Sequence, residues 1–168
     1  MTRYRDAGAA DLPAVDALFR ASFAATFGHL YAPADLAAFF ARFTPAAWAN
    51  ELARPDLAIR LAEQEGMAVG FAKLSAPTLP VEPRGPAREL RQLYLAEEAK
   101  GTGVGATLLD WAIGRSRAEV AGELFLSVYV DNIRARRFYA RRGFTDIGRY
   151  TFTVGTHEDE DRIMRLDL

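Results

Sequence analysis

The sequence predicts a mixed α/β (α+β) fold in which helices cover a single sheet. Short apolar runs typical of strands alternate with longer segments whose apolar residues recur at helical spacing. A glycine-rich stretch, residues 100–105, stands between one such strand and one such helix. The 168 residues are 50% hydrophobic, which is enough for the core of one domain. We therefore predict a single domain over residues 1–168, with no linker.

The first third of the chain is predicted to be helical after one short strand at residues 3–6. Asp11 is expected to cap a helix in which Pro13 occupies the first turn. Helices should then continue to about Arg54. Their apolar residues recur at helical spacing and are expected to pack in the core: Leu12, Val15, Leu18, Phe19, Phe23, Phe27, Leu36, Phe39, Phe40 and Phe43.

The middle of the chain predicts three strands. Residues 57–62 and 67–74 are apolar runs joined through 64–66, which is typical of a hairpin. The next segment, 76–86, contains four prolines and is expected to be a stiff surface loop. A further strand is predicted over residues 89–95.

The last third predicts two helices and three strands. A helix is expected from Thr102 to about Val120, followed by a buried strand over 124–130. Asp131 or Asn132 should begin the next helix, which Gly143 ends. Residues 144–154 and 162–168 are predicted to complete the sheet.

Composition excludes several classes of function. The net charge of −1 gives no reason to expect nucleic acid or an anionic membrane surface as partner. The absence of cysteine excludes disulfides and thiol nucleophiles, and the two histidines, His29 and His157, exclude a three-histidine zinc site. No metal is expected. The chain shows no apolar leader and no run long enough to span a membrane, so a cytoplasmic setting is expected.

The glycines of residues 101–105 predict an anion site. Glycine allows a left-handed backbone and close approach to a ligand, and the start of a helix favours phosphate. A Walker-type loop is excluded because Ala106 follows Gly105, where that motif has lysine and a hydroxyl residue. A dinucleotide fingerprint is matched literally, but the region about 20 residues further on is apolar and lacks the acid that binds the ribose.

The same segment resembles the acyl-coenzyme A loop of the Gcn5-related N-acetyltransferases, Gln/Arg-x-x-Gly-x-Gly/Ala. Residues 100–105 read KGTGVG, with Lys100 in place of the usual glutamine or arginine. About 30 residues later, residues 132–144 match the family pattern Asn-x-x-Ala-x-x-Phe-Tyr-x-x-x-Gly-Phe at every position. Two motifs in the same order and spacing identify the chain as similar to this superfamily.

This resemblance implies a fold, a co-substrate and a set of contacts. The sheet should be mixed, mostly antiparallel and of about seven strands, and the co-substrate should be acetyl-coenzyme A. Tyr139 is implied as the general acid that protonates the leaving thiolate. Backbone groups around Leu95, where the fourth strand splays from the fifth, are implied in binding the oxyanion and the pantetheine amides. The coenzyme contacts implied are Tyr94, Leu95, Lys100, Gly101, Thr102, Gly103, Val104, Gly105, Ala106, Thr107, Asn132, Ala135, Phe138, Arg141 and Arg142.

Several of these residues have a structural alternative. Glu89 is either the base that deprotonates the amine or a strand residue paired with Arg88 or Arg91, and a water chain is a further route for the proton. Asn132 contacts the pantetheine arm, caps a helix, or does both. Five arginines crowd residues 134–142, and most are expected to be solvated, with Arg141 and Arg142 the contacts to the 3′-phosphate.

The acceptor is suggested by weaker similarity. Residues 24–27, 69–74, 89–95, 152–155 and 161–164 resemble the bacterial polyamine acetyltransferases, which implies a primary amine of a small molecule as acceptor. An amino acid, an aminoglycoside or a protein N-terminus is the alternative acceptor, and a non-catalytic acyl-coenzyme A sensor is the alternative function. The acidic stretch 158–161 is expected to be a solvated surface turn. Pairing at sheet edges, common in this superfamily, makes a homodimer an expectation.

Overall fold

The computed structural model describes all 168 residues as one seven-stranded sheet with five α-helices. The strands are β1 Thr2–Asp6, β2 Ala58–Gln64, β3 Met67–Ser75, β4 Ala87–Leu95, β5 Glu123–Tyr129, β6 Thr145–Val154 and β7 His157–Asp167. The helices are α1 Leu12–Phe27, α2 Pro33–Phe40, α3 Pro45–Leu52, α4 Val104–Ala118 and α5 Ile133–Ala140. The mixed, mostly antiparallel architecture is therefore confirmed.

The sheet contains one parallel contact, and that contact opens a gap. The strand order is β1-β2-β3-β4-β5-β7-β6, and every neighbouring pair except β4 and β5 is antiparallel. Those two strands pair only at their beginnings, from Ala87 opposite Glu123 to Glu89 opposite Phe125. Beyond these pairs, the carboxyl-terminal halves of β4 and β5 separate, which leaves their backbone groups available to a ligand.

Two apolar clusters cover the two faces of the sheet. On one face, α4 packs through Leu108, Leu109 and Ala112, which are all fully buried. On the other face, α1 and α2 pack through an aromatic cluster that includes Phe19 and Phe23. The core residues predicted on α1 are buried there except Phe27, which is only partly buried. Burial of apolar area on both faces holds the sheet between the helices.

The helix caps follow the sequence with one exception. Asn132 caps α5, since its side-chain oxygen accepts a hydrogen bond from the Ala135 N–H at 3.2 Å. Asp11 precedes α1 as predicted, but its carboxylate accepts hydrogen bonds from Arg5 and from the Gly8 N–H and makes no cap hydrogen bond to α1. An arginine nearby competes for the carboxylate that the cap would need.

The acidic stretch 158–161 is not the solvated turn that was expected. It belongs to β7, which begins five residues earlier than predicted and pairs with β6 through a turn at Gly155 and Thr156. Asp159 and Asp161 are buried, whereas Glu158 and Glu160 are exposed. Successive side chains of a strand point to opposite faces, so the four acids alternate between the buried and the exposed face. A prediction from hydrophobic residues cannot detect a strand whose buried residues are charged.

A search of the helices for a membrane span finds none that combines the necessary length and apolar character.

Candidate active site

A cleft of about 730 Å³ lies where β4 and β5 separate. Its walls come from the carboxyl halves of both strands, the glycine loop before α4, the start of α5, the end of α1 and the first half of β7. Ligand sites favour concave, mostly apolar places with a few convergent polar groups. This cleft has both, since aromatic side chains line it beside carboxylates and cations.

The glycine loop has the backbone geometry of an anion site at one part of the cleft. Gly101 and Gly103 have φ of 81° and 92°, a backbone region that side chains rarely adopt. The first helical hydrogen bond of α4 runs from the Thr107 N–H to the Gly103 carbonyl, so the amides before Thr107 keep no helical partner. Free amides at the positive end of a helix dipole bind phosphate.

The third glycine of the loop, Gly105, permits close packing behind it. A Cβ on Gly105 would lie 3.1 Å from the Leu95 side chain, so a larger residue would push the loop away from β4. Gly70 on β3 is tighter, because its Cβ would lie 2.7 Å from the same leucine. Both glycines therefore fix the distance between the start of α4 and the end of β4.

Most residues that the sequence implied in coenzyme binding meet at this cleft. Those that line it are Tyr94, Leu95, Lys100, Gly101, Gly103, Gly105, Ala106, Asn132, Ala135, Phe138, Tyr139 and Arg141. The side chains of Thr102 and Thr107 instead donate hydrogen bonds to the carbonyls of Ala99 and Gly103. Val104 packs in the core, only 2% exposed. These three leave the backbone of the loop as the part that faces a ligand.

The arginines of the second motif divide differently from the prediction. Arg142 forms an ion pair with Asp110 of α4 and lies outside the cleft. Arg134 and Arg141 line the cleft, and the Arg134 guanidinium lies within 4.0 Å of the position a Gly101 Cβ would take. Arg134 was assigned to the solvated face because helical position alone does not show where the preceding loop approaches the helix.

Tyr139 lines the cleft and has no charged neighbour that acts on its hydroxyl. Its ring packs against Phe138 and Phe144, with centroids 5.2 and 5.8 Å away. Burial alone raises the pKa of the Tyr139 hydroxyl well above its ordinary value. The phenol therefore keeps its proton at neutral pH, which is the state a general acid requires.

Ser22 of α1 joins the first helix to the end of β4. Its hydroxyl donates a hydrogen bond of 2.9 Å to the Leu95 carbonyl, and both residues line the cleft. The contact fixes the carbonyl of the strand end that faces the gap. Sequence reasoning missed Ser22, since a single serine on an apolar helix carries no motif.

Asp159 and Asp161 form an acidic wall at another part of the cleft. Asp159 accepts a hydrogen bond of 2.5 Å from the Tyr31 hydroxyl and contacts a His157 ring nitrogen at 3.0 Å. Burial, opposed by a hydrogen bond from the Ser127 hydroxyl and assisted by the charge of Asp159, raises the pKa of Asp161 to about 7. Expected to be solvated, both acids instead lie beside the gap.

Glu89 does not line the cleft. Its buried carboxylate accepts hydrogen bonds from the Thr78 N–H and hydroxyl and from the Leu79 N–H, the last at 3.0 Å. The side chain therefore holds the proline-rich loop against β4. It pairs neither with Arg88 nor with Arg91, whose partners are Glu119 and Glu51. This geometry removes the support for Glu89 as the base, because a base must reach the amine in the cleft.

Comparison with known proteins decides the family. The sequence signature of the acetyltransferase (GNAT) family matches residues 15–144. The chain belongs to the GNAT family. An uncharacterised N-acetyltransferase of Lactobacillus delbrueckii subsp. lactis is 30% identical over 94% of this chain and 92% of its own length. Another, from Mycobacterium tuberculosis, is 36% identical over 82% of this chain and 85% of its own.

Solved structures agree on the GNAT fold. The PaiA N-acetyltransferase of Thermoplasma acidophilum, in complex with coenzyme A, superimposes with a TM-score of 0.83 at 22% identity, covering 100% of this chain and 99% of that one. A GCN5-related N-acetyltransferase of Rhodopseudomonas palustris gives 0.79 at 25% identity, covering 100% and 96%. The protein is thus a GNAT-type N-acetyltransferase that uses acetyl-coenzyme A.

The loop of this GNAT protein suits its co-substrate. Left-handed glycines, free amides and the cations Lys100, Arg134 and Arg141 together match a pyrophosphate and a further phosphate. Family membership also removes the dinucleotide-binding alternative for the loop, and together with relatives named as N-acetyltransferases it favours an enzyme over a non-catalytic sensor. No group of three or more histidine, aspartate or glutamate side chains is placed to hold a metal ion.

Proposed function

We propose that this enzyme transfers the acetyl group of acetyl-coenzyme A to the primary amine of a small molecule, by direct attack within a ternary complex. The observation that carries the proposal is the single cleft in which the glycine loop, Tyr139 and the acidic wall meet. One continuous cavity allows both substrates to be held together, so that no acetyl group need be stored on the protein. The sequence has no cysteine to serve as such a carrier.

The proposed reaction uses the separated strand ends as its frame. The amine nitrogen attacks the thioester carbonyl, and the carbonyl oxygen gains charge that backbone N–H groups near Leu95 stabilise. Collapse of the intermediate breaks the carbon–sulfur bond. Tyr139 gives its proton to the leaving thiolate, and a proton from the nitrogen replaces it. Pantetheine contacts from Asn132, Ala135 and Phe138 orient the thioester between the strands.

Polyamines are the first acceptors to test. Similarity of five short segments to the bacterial polyamine acetyltransferases supports them, as does the acidic wall. Proteins of similar fold are named for other acceptors, such as the ribosomal-protein-alanine N-acetyltransferase of Brucella melitensis, 24% identical with a TM-score of 0.76. Amino acids, aminoglycosides and protein N-termini are therefore the alternatives.

The acceptor is tested by thiol release from acetyl-coenzyme A. The panel contains spermidine, spermine, amino acids, aminoglycosides and short peptides, and mass spectrometry identifies the acetylated product. We expect turnover with the amines and little with the amino acids. Turnover confined to peptides, or to none of these compounds, would contradict a small-amine acceptor.

The role of Tyr139 is tested by Tyr139→Phe. We expect the coenzyme affinity to stay unchanged while kcat falls by about 10²- to 10⁴-fold, the usual size of a general-acid contribution. Tyr4→Phe is the matched control, because Tyr4 lies on β1 outside the cleft. An unchanged kcat in Tyr139→Phe would remove the assignment of the acid.

A homodimer remains a proposal that rests on the two free sheet edges, β1 and β6. An unpaired edge presents backbone groups that a second copy can pair with. Light scattering at several protein concentrations distinguishes a dimer from a monomer.

A further inference from the structure

We propose that Asp161, with Asp159 beside it, binds the ammonium group of the acceptor amine and takes its proton. This inference rests on the proposed function and adds the residues that receive the acceptor. It also replaces Glu89, whose carboxylate is occupied by the proline-rich loop.

The first support is a buried carboxylate without a cationic partner. Asp161 is only 6% exposed, lines the cleft and forms no salt bridge with any lysine or arginine. Buried carboxylates are normally paired, because an unpaired buried charge is costly. An acceptor ammonium group would supply the missing positive charge.

The second support is the ring of aromatic side chains around the two acids. Phe27 packs edge-on against Tyr129 with centroids 6.0 Å apart, and Phe23 stacks on Tyr31 at 6.0 Å. These four line the cleft together with Phe152. Aromatic faces attract cations. A carboxylate surrounded by aromatic rings therefore favours binding of an ammonium group.

The third support is the division of charge within the cleft. Its unpaired cations are Arg134, which lies beside Gly101 of the glycine loop, and Arg141, which follows α5, whereas Lys100 in the loop pairs with Glu97. Arg91 also lines the cleft but pairs with Glu51. Neither Asp159 nor Asp161 pairs with a lysine or an arginine, and the ring of His157 contacts Asp159. The field therefore directs phosphates to one part of the cleft and a cationic amine to the other.

The groups that face Asp161 come from four elements and from the segment after α1. They are His157 and Asp159 on β7, Ser127 and Tyr129 on β5, Tyr150 on β6, Tyr94 on β4 and Tyr31. Asp161 helps to raise the pKa of Tyr31, Tyr94 and Tyr129, which shows that its charge reaches all three hydroxyls. Tyr31 and His157 contact Asp159, whereas only the Ser127 hydroxyl acts on Asp161, so Asp161 has the more available carboxylate to accept a proton.

The proton transfer balances with one proton released per turnover. The ammonium group gives a proton to the Asp161 carboxylate, which frees the nitrogen lone pair for attack. The second nitrogen proton replaces the one that Tyr139 gives to the thiolate, and Asp161 returns its proton to solvent. A base that titrates near neutral pH is suited to this exchange.

The same charges predict which amines are rejected. A carboxylate next to the amino group would lie against Asp159 and Asp161, and like charges repel. Tyramine and tyrosine differ only in that carboxylate, so tyramine should be the better acceptor by about 10²-fold or more in kcat/KM. In Asp161→Asn, the ratio of kcat/KM for tyramine to kcat/KM for tyrosine should be smaller than in the wild type.

The test compares Asp161→Asn and Asp159→Asn with Glu158→Gln, whose exposed side chain lies on the other face of β7. We measure kcat/KM for spermidine and tyramine, and the pH profile of kcat/KM. Calorimetry gives the affinity of the coenzyme A complex for spermidine, and the affinity for coenzyme A serves as a check on folding. We expect Asp161→Asn to lose about 10²-fold or more in kcat/KM, to bind spermidine more weakly and to lose an ionisation near neutral pH. Glu158→Gln and the coenzyme A affinities should match wild type.

The outcomes separate this inference from the proposed function. If the wild-type protein acetylates amines and the kcat/KM of both Asp161→Asn and Asp159→Asn is unchanged, the inference is overturned and the proposed function stands. If no amine is acetylated but spermidine binds and the binding depends on Asp161, the proposed acceptor is overturned and the ammonium site is supported. Neither turnover nor spermidine binding overturns both.

Discussion

Arg134 and Arg142 lie at the two ends of one short helical segment but have different surroundings. Arg134 faces the glycine loop across the cleft, whereas Arg142 is held by Asp110. An arginine that is free to meet a phosphate forms charge-assisted hydrogen bonds, while one already paired must first break its contact. We therefore propose that Arg134, in place of Arg142, contacts the 3′-phosphate together with Arg141.

This assignment predicts a phosphate-specific effect of Arg134→Gln. We expect the affinity for coenzyme A to fall by about three- to tenfold, because one charged hydrogen-bond donor is lost, and the affinity for 3′-dephospho-coenzyme A to change little. Arg137→Gln is the control, since Arg137 lies on the same helix, is exposed and does not line the cleft. Equal losses for both coenzymes would place Arg134 away from the 3′-phosphate.

At the scale of elements, the proline-rich loop is fixed by one side chain of the neighbouring strand. Glu89 on β4 accepts hydrogen bonds from two successive amides of this loop. Asp35 of α2 acts similarly on the β6–β7 turn, accepting from the Thr156 N–H at 2.6 Å and from its hydroxyl at 2.9 Å. In both places a carboxylate satisfies amides of a loop or turn and so fixes that segment to a neighbouring element.

Glu89→Gln should therefore affect stability and leave catalysis nearly unchanged. Losing charge-assisted hydrogen bonds inside the protein should lower the free energy of unfolding by about 1–3 kcal/mol, measured by denaturant unfolding. Glu82→Gln, on an exposed residue of the same loop, should have no such effect. A fall of about 10²-fold or more in kcat without loss of stability would restore Glu89 as the base.

Sequence reasoning located elements whose pattern is apolar and missed features that depend on tertiary contact. All seven strands and the main helices follow from apolar periodicity, glycine turns and caps, because those signals are local. The start of β7 was missed because its inward residues are Asp159 and Asp161. Whether Glu89 meets an amine or a loop depends on residues about ten positions away, which no local pattern reports.

At the scale of the whole molecule, the acidic wall makes stability depend on pH. The pKa of Asp161 is raised from 3.8 to about 7 in the folded protein. Between these values the unfolded chain loses this proton while the folded protein keeps it, so rising pH favours unfolding. The destabilisation is absent below about pH 4 and complete above about pH 7, where it is on the order of 4 kcal/mol.

Asp161→Asn should remove this dependence. Because asparagine does not titrate, the free energy of unfolding of the variant should exceed that of wild type increasingly between about pH 4 and pH 7. Urea unfolding over this range measures the difference, with Glu158→Gln as the control at an exposed site. A difference that stays constant with pH would show that Asp161 titrates in the folded protein as it does in the unfolded chain.

In the proposed mechanism, one cleft holds acetyl-coenzyme A and a cationic amine together. The most direct measurement is the initial rate of thiol release with both substrates varied, using the best amine of the panel, combined with mass spectrometry of the protein after acetyl-coenzyme A alone. We expect intersecting double-reciprocal lines and a protein that carries no acetyl group. Parallel lines, together with an acetylated protein that passes its acetyl group to the amine, would contradict this mechanism.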